Sequence, residues 1–273
     1  MGACQMDVEY RGPGQRAAPM QANYFQDWIK DSARYGARLA NTHVGGDRSY
    51  SLLLATMDQL QKQYGPDAIK NWGLDHCTMV NPADLPLAGK LGVTFSCAPK
   101  YVVNVAPGTA VSYGEKVANT FVVPVKSMLN AGAKVVFEMD GDGYIWRDLE
   151  KFITRKDNDG KVWGPQERLD RATTLKTITR WAAEYVLRPD KQGSIEPGKL
   201  ADLVVLNRDY MTIPEEEIRG LQSRLTMLGG KIIYVHPDFA QEYNLRPAGA
   251  VVSTYDELKA RRNRLRDWSG SGG

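Results

Sequence analysis

The chain is poor in several residues whose presence would have settled its class. It has only three cysteines among 273 residues, Cys4, Cys77 and Cys97. None stands in a Cys-x-x-Cys spacing, which argues against a disulfide framework and favours a reducing compartment. No run of about 18 apolar residues occurs, so no membrane-spanning helix is expected. The first residues, Met1 to Pro13, are polar and Gly-rich and lack the pattern of a secretion signal. Position 6 is Met, which fails the myristoylation pattern. A net charge of +3 is too balanced to imply a nucleic-acid partner. The locally basic stretch Lys259 to Arg266 reads as one solvated helix face or a frayed end. Neither a Gly-x-Ser-x-Gly elbow nor a phosphate-cradling glycine loop is found. These absences point to a globular, cytoplasmic protein.

The stretch that is there in full is Gly193-Ser-Ile-Glu-Pro-Gly-Lys-Leu-Ala-Asp-Leu-Val-Val-Leu206. Glu196-Pro197-Gly198 is a turn, with Pro presetting φ and Gly free to take φ > 0. The all-apolar run Leu203 to Leu206 then reads as a strand covered on both faces. Upstream, helix and strand patterns alternate. Residues Met1 to Ala22 form an irregular lead-in with one possible short strand at Gln5 to Tyr10. Asn23 to Tyr35 is helical, with Phe25, Trp28, Ile29 and Ala33 on one stripe, and Arg38 to His43 follows as a strand. Ser49 to Tyr64 is helical, with Leu52, Leu53, Met57 and Leu60 inward, followed by a strand at Asn71 to His76. Asp84 to Lys90 is a helix stopped by Gly92, with a strand at Val93 to Cys97. A longer connection leads to a helix at Val122 to Asn130 and a strand at Lys134 to Met139. Such alternation marks parallel α/β units.

Beyond Asp140 the rhythm changes. Asp157-Asn-Asp-Gly160 is a turn, and Pro165 to Tyr185 reads as one long amphipathic helix closing a barrel wall, with Leu169, Ala172, Leu175, Ile178, Ala182 and Tyr185 along it. A short charged helix is expected at Pro214 to Arg219, a hairpin over Leu225 to Val235 with Gly229-Gly230 at its tip, and a tail helix from Thr254 to Arg266.

Two of the three histidines, His43 and His76, fall at the C-terminal ends of expected parallel strands, and Asp140 ends the fourth strand in the same way. Barrel enzymes keep their active sites at that end. Two imidazoles and a carboxylate converging there suit Zn²⁺ or a similar divalent metal. Asp140-Gly-Asp142-Gly and Asp157-Asn-Asp-Gly160 lack the remaining ligands of a calcium loop and read as turns, although Asp142 rivals Asp140 for its role. Cys77 reads as a buried, inert thiol whose side chain points opposite to that of His76, and His236 as structural.

Together these motifs resemble the metal-dependent amidohydrolase superfamily, in its family 3 branch that includes N-substituted formamide deformylases. The Pro-Gly-Lys to Leu206 stretch resembles the signature at which such chains leave the catalytic barrel and return to a small β-sandwich. Thr42-His43-Val44-Gly45-Gly46-Asp47 looks like the fifth-strand His motif, and Leu74-Asp75-His76 like the sixth. Val136-Phe-Glu-Met-Asp140 occupies the place of the eighth-strand motif, with Glu138 and Met139 standing where Gly and Ser are usual.

The resemblance implies hydrolysis of non-peptide carbon–nitrogen bonds (amide, formamide or cyclic amide) by metal-activated water. Metal ligands would be His43, His76 and Asp140, with Asp140 also the proton shuttle; Lys100 and Tyr101 would face substrate. No His-x-His, the family's first-strand motif, is present. The resemblance thus covers roughly Phe25 to Val235 and only the second half of a barrel, a full one taking about 250 residues. It implies an α/β fold, a partial (β/α) barrel of strands 5 to 8 with a C-terminal β-sandwich remnant. The expected domains are an irregular lead-in at 1–22, barrel at 23–187, sandwich remnant at 188–245 and a helical, flexible tail at 246–273. Two alternatives stay open. The chain dimerises or needs a complementary N-terminal half, its sheet edges being templates for pairing, or it is an impaired fragment serving as a binding or structural module.

Overall fold

A computed structural model describes residues 2–4, 22–141, 144–249, 257 and 260 of the chain. They form a mixed α/β protein of two compact units. The first comprises residues up to Ser194 together with Ile213–Gly220; the second comprises Ile195–Thr212 and the residues from Leu221 onward.

The first unit is built on parallel strands. β1 (Gly2–Cys4) leads, across residues outside those described, to α1 (Ala22–Arg34). Then come β2 (His43–Gly45), α2 (Asp47–Tyr64), β3 (Gly73–His76), α3 (Leu85–Leu91) and β4 (Thr94–Cys97). Four short helices follow, α4 (Tyr101–Asn104), α5 (Ala106–Tyr113), α6 (Glu115–Phe121) and α7 (Val125–Asn130), before β5 (Lys134–Phe137). β1 pairs with β2, and β3, β4 and β5 pair in that order, all parallel. A parallel bridge from Thr42 to Leu74 joins the two sets.

Apolar side chains explain the packing. Ile29 and Ala33 of α1, Leu53, Leu54, Met57 and Leu60 of α2, and Leu85, Ala88 and Leu91 of α3 are all buried. Leu52, expected inward, is exposed. α3 ends at Gly92, which takes the left-handed conformation at φ 67°. At Gly73 a Cβ would lie 2.7 Å from both the Ala40 carbonyl oxygen and the Tyr185 hydroxyl, so only glycine admits this approach.

Several boundaries differ from the sequence-based expectation. The strand expected at Arg38 to His43 forms only from His43 onward, because the preceding segment gives single bonds to β3: Gly73 N–H donates to Leu39 and Asp75 N–H to Thr42. The lead-in contains β1, while Gln5 to Tyr10 lies outside the described residues. The connection after Cys97 is helical from Tyr101 to Phe121, in pieces interrupted by Val105 and Gly114. The helix expected from Val122 starts at Val125, since Val123 has φ 49° and Pro124 caps it.

The segment past Asp140 begins with α8 (Ile145–Thr154), which the sequence reading did not contain. The long helix expected over Pro165 to Tyr185 is three pieces: a 3₁₀ turn at Pro165–Glu167, α9 (Arg171–Ile178) and α10 (Arg180–Tyr185). Asp170 caps α9 by accepting from the Thr173 amide at 2.8 Å and its hydroxyl at 2.6 Å, which starts the helix afresh. Thr179, at φ −119° and ψ −95°, breaks α9 from α10. The buried face carries Thr174, Thr177 and Ala183, not the expected Ala172 and Leu175.

Arg155 holds this half of the unit together. It is fully buried, and its guanidinium donates to the carbonyls of Val122, Val123 and Trp163 at 2.7–2.9 Å. Burial pulls its pKa down to about 10. The Asp157 to Gly160 turn forms as expected, with Asp157 accepting from the amides of Asp159 and Lys161 and from the Trp163 indole.

Cys77 and Cys97 form a disulfide, which corrects the expectation of a chain without bridges and of Cys77 as an inert thiol. β3 and β4 are neighbours with His76 opposite Cys97, and Cys77 takes φ 58°, so its Cα comes within 5.0 Å of that of Cys97.

The second unit is an antiparallel meander of β6 (Leu203–Leu206), β7 (Ser223–Leu228) and β8 (Lys231–Val235), followed by α11 (Pro237–Glu242). Gly229-Gly230 forms the hairpin tip as expected. Gly198 takes φ 87° in the turn after Pro197, and the Lys199 amide closes onto the Glu196 carbonyl. β6 is not covered on both faces: Val204 and Val205 are exposed, because the small core is made by Leu225, Val235 and Ala240 instead. His236 is structural, capping α11 through Nδ1, which accepts from the Asp238 amide and lies 2.9 Å from Arg224. The tail helix expected over Thr254 to Arg266 lies outside the described residues except at Glu257 and Ala260, which are helical. Among the described residues no helix is long and apolar enough to cross a membrane.

Candidate metal centre

β3 ends at His76 and β5 runs out toward Asp140, and both pair in parallel with β4 between them, which brings those two ends to one side. The Glu138 amide donates to the Cys97 carbonyl, continuing the β4–β5 ladder beyond β5, so its side chain is set firmly beside the end of β3. His76 has φ 77°, an unusual conformation for a residue with a side chain, and the strand turns sharply there.

Glu138 makes the densest set of contacts. Its Oε1 lies 2.7 Å from Nδ1 of His76, and its Oε2 accepts from the His76 backbone amide at 2.9 Å and the Ser96 hydroxyl at 3.2 Å. On its other side the His76 ring faces His43: Nε2 of His76 contacts Nδ1 of His43, with ring centroids 4.1 Å apart and planes at 74°. Ligand-type atoms of His76, Glu138 and Asp140 lie within 4.8 Å of one another, and His43 joins the group through His76.

Lys100 and Tyr101 turn toward Asp140. The Tyr101 hydroxyl donates to Oδ2 at 2.7 Å; the Lys100 ammonium donates to the Asp140 carbonyl and lies 3.3 Å from the same Oδ2. These two partners, the Tyr101 hydrogen bond foremost, hold the Asp140 carboxyl below its usual range. Burial and the neighbouring Asp140 carboxylate push the Tyr101 hydroxyl well up, so it stays a donor. Burial pulls the His76 imidazole down, but the carboxylates of Glu138, Asp140 and Asp75 outweigh it and leave the ring's pKa raised.

Asp75 lies beneath the group. Its carboxyl is buried and raised to about 6, by desolvation first and by Glu138 second, and its Oδ1 has no hydrogen-bond partner among the described residues. Its carbonyl is tied to the buried Tyr50 hydroxyl at 2.6 Å, which also accepts from the Cys77 amide at 2.9 Å.

Of the five residues singled out from sequence, the structure gathers His43, His76, Asp140, Lys100 and Tyr101 into one cluster, with His43 at the start of β2 and not at a strand end. Asp142 lies outside the described residues. Sequence reasoning gave no role to Glu138, although an acid two residues before Asp140 in extended chain carries its carboxylate on the same side. Nothing local marked Ser96 or Tyr50.

The donor set fits a divalent ion. Two imidazoles with carboxylates suit zinc, and an imidazole whose second nitrogen donates to a carboxylate is the usual state of a metal-binding histidine.

A sequence model described as the amidohydrolase family matches residues 3–234. The chain is 25% identical over 206 residues to an N-substituted formamide deformylase of Arthrobacter pascens, a match covering 74% of this chain and 38% of that protein. Among solved structures, an uncharacterized metal-dependent hydrolase of Pyrococcus horikoshii is similar with a TM-score of 0.64 at 20% identity, over 78% of this chain and 43% of that one. The atrazine chlorohydrolase of Arthrobacter aurescens complexed with zinc is similar with a TM-score of 0.53 at 19% identity, over 97% and 54%. At such identities the structural likeness is one of fold, and the chain spans well under half the length of the deformylase it matches.

Proposed function

The chain belongs to the amidohydrolase family, and from that premise we propose that it carries a metal-dependent centre hydrolysing a carbon–nitrogen bond of an amide, formamide or cyclic amide. The architecture reads as a partial (β/α) barrel, strands 5 to 8, with a C-terminal β-sandwich remnant. The observation that carries the proposal is the meeting of Nε2 of His76 with Nδ1 of His43, inside a cluster that also holds Asp140.

His43, His76 and Asp140 would hold the ion, best suited as Zn²⁺. When bound, such an ion lowers the pKa of a water and polarises a carbonyl. The chain's own residues do the rest. Asp140, kept ionised by Tyr101 and Lys100, takes a proton from the attacking water. The remaining hydroxide forms the new bond to the carbonyl carbon, and the carbon–nitrogen bond breaks. Asp140 returns its proton to the departing nitrogen, so the products are an acid and an amine. Lys100 and Tyr101 hold the base in place and line the approach of substrate.

Release of amine from N-formyl substrates, and ring opening of cyclic amides to the amino acid, by the zinc-loaded chain tests this. Release by the wild-type chain that falls at least a hundredfold in Asp140→Asn is the expected result. Equal release by both proteins would sink the assignment of Asp140. A second reading keeps the site but not the turnover, as a metal-binding module. Tight metal binding without amine release from any substrate would support that reading.

A further inference from the structure

Glu138 stands where the family motif usually has glycine, and its carboxylate is held at three points. It accepts from the His76 amide, from Nδ1 of the His76 ring and from the Ser96 hydroxyl. An ionised carboxylate is acceptor-only, so the proton in the 2.7 Å contact belongs to Nδ1. In the neutral ring Nε2 is then a bare lone pair, and it is this nitrogen that faces His43. We propose that Glu138 is a positioning residue, which fixes His76 as the Nδ1–H tautomer and so reserves Nε2 for a cation shared with His43. The cation rests on the reading given under Proposed function; the tautomer does not.

Two features favour orientation over direct ligation by Glu138. Three of the roughly four lone-pair positions of its carboxylate are already engaged. Its backbone is also pinned by the bond from its amide to Cys97, which fixes the side chain against β3 and β4. Without the ion, Nδ1 of His43 donates to Nε2 of His76; binding an ion requires His43 to carry its proton on Nε2 instead, toward solvent.

The test is ¹⁵N NMR of the metal-free chain labelled at histidine, at alkaline pH where the imidazoles are neutral, beside zinc affinity measured by chelator competition. Wild-type His76 is expected to carry its proton on Nδ1. In Glu138→Gln the amide oxygen stays with the His76 amide and Ser96, and the amide NH₂ then meets Nδ1. The His76 proton should move to Nε2, and zinc affinity should fall about tenfold to a hundredfold, with the unfolding transition unchanged. In Ser96→Ala the carboxylate remains, so the Nδ1–H tautomer should persist.

A wild-type His76 protonated on Nε2 would overturn the proposal, even if Glu138→Gln fails to fold. So would a variant that loses zinc while its tautomer stays the same, since Glu138 would then be a ligand. A tautomer that reverses as expected in a chain that binds no zinc would support the positioning role and count against the metal centre alone.

Discussion

The Tyr101 hydroxyl donates a 2.7 Å hydrogen bond to Oδ2 of Asp140, joining the helix after β4 to the segment after β5. The two segments are thus tied by a pair of side chains. Tyr101→Phe removes the donor and keeps the ring, whose edge-on contact with His76 at 5.8 Å is retained. The expected result is a fall of about tenfold in kcat for amine release, in line with the loss of one hydrogen bond of about 1.5 kcal/mol to a charged group. Stability in urea should fall by no more than about the same 1.5 kcal/mol. A variant with unaltered kcat would show that Tyr101 does not hold the base.

Arg155 is the buried charge on which the Val122–Pro124 corner depends. Arg155→Lys replaces a planar fork serving three carbonyls with a single ammonium that cannot reach all of them. At least two buried acceptors lose their donor, and a loss of about 3 kcal/mol in urea unfolding is expected. A loss below about 0.5 kcal/mol would mean that water or a neighbour takes over.

The Cys77–Cys97 bridge closes a short loop between β3 and β4 directly after His76. Cys97→Ser, or reduction of the wild-type chain, should lower stability by about 3 kcal/mol. The two treatments should not add. If reductant changes nothing in the wild type while Cys97→Ser does, the cysteines act through packing and not through a bond.

Asp170 gives a prediction with a sign in pH. Its carboxyl is held below the usual range, by Thr173 above all. The unfolded chain takes up that proton first as pH falls, so the capping contribution is fully present above the ordinary carboxylate pKa of about 4 and disappears as pH drops through the lower folded value. Asp170→Ala should therefore cost about 1 kcal/mol at neutral pH, and the two unfolding curves should converge in acid. A gap that is the same at both ends of the range would assign the effect to something other than the charge.

What could be read from the sequence was what local pattern encodes. Short strand-like runs bounded by turn residues gave β3, β4 and β5 to within about two residues at either end, and Pro197-Gly198 and Gly229-Gly230 gave the turns of the second unit. That His76 and Asp140 come close together was legible because parallel strands deliver their C-terminal ends to one side. What escaped was set by contacts distant in sequence. The Cys77–Cys97 bond follows from strand register, and the partners of Glu138 lie 62 and 42 residues away. The long helix expected over Pro165 to Tyr185 failed because an aspartate cap and the Thr179 break interrupt a run whose apolar spacing continues through them.

On the proposed reading His43 and His76 share a metal ion. Elemental mass spectrometry on the purified chain at known protein concentration, beside His43→Ala and His76→Ala, tests it most directly. About one zinc or similar divalent ion per wild-type chain, lost in both variants, is expected. No metal in the wild-type chain after zinc loading, or equal metal in all three proteins, would contradict it.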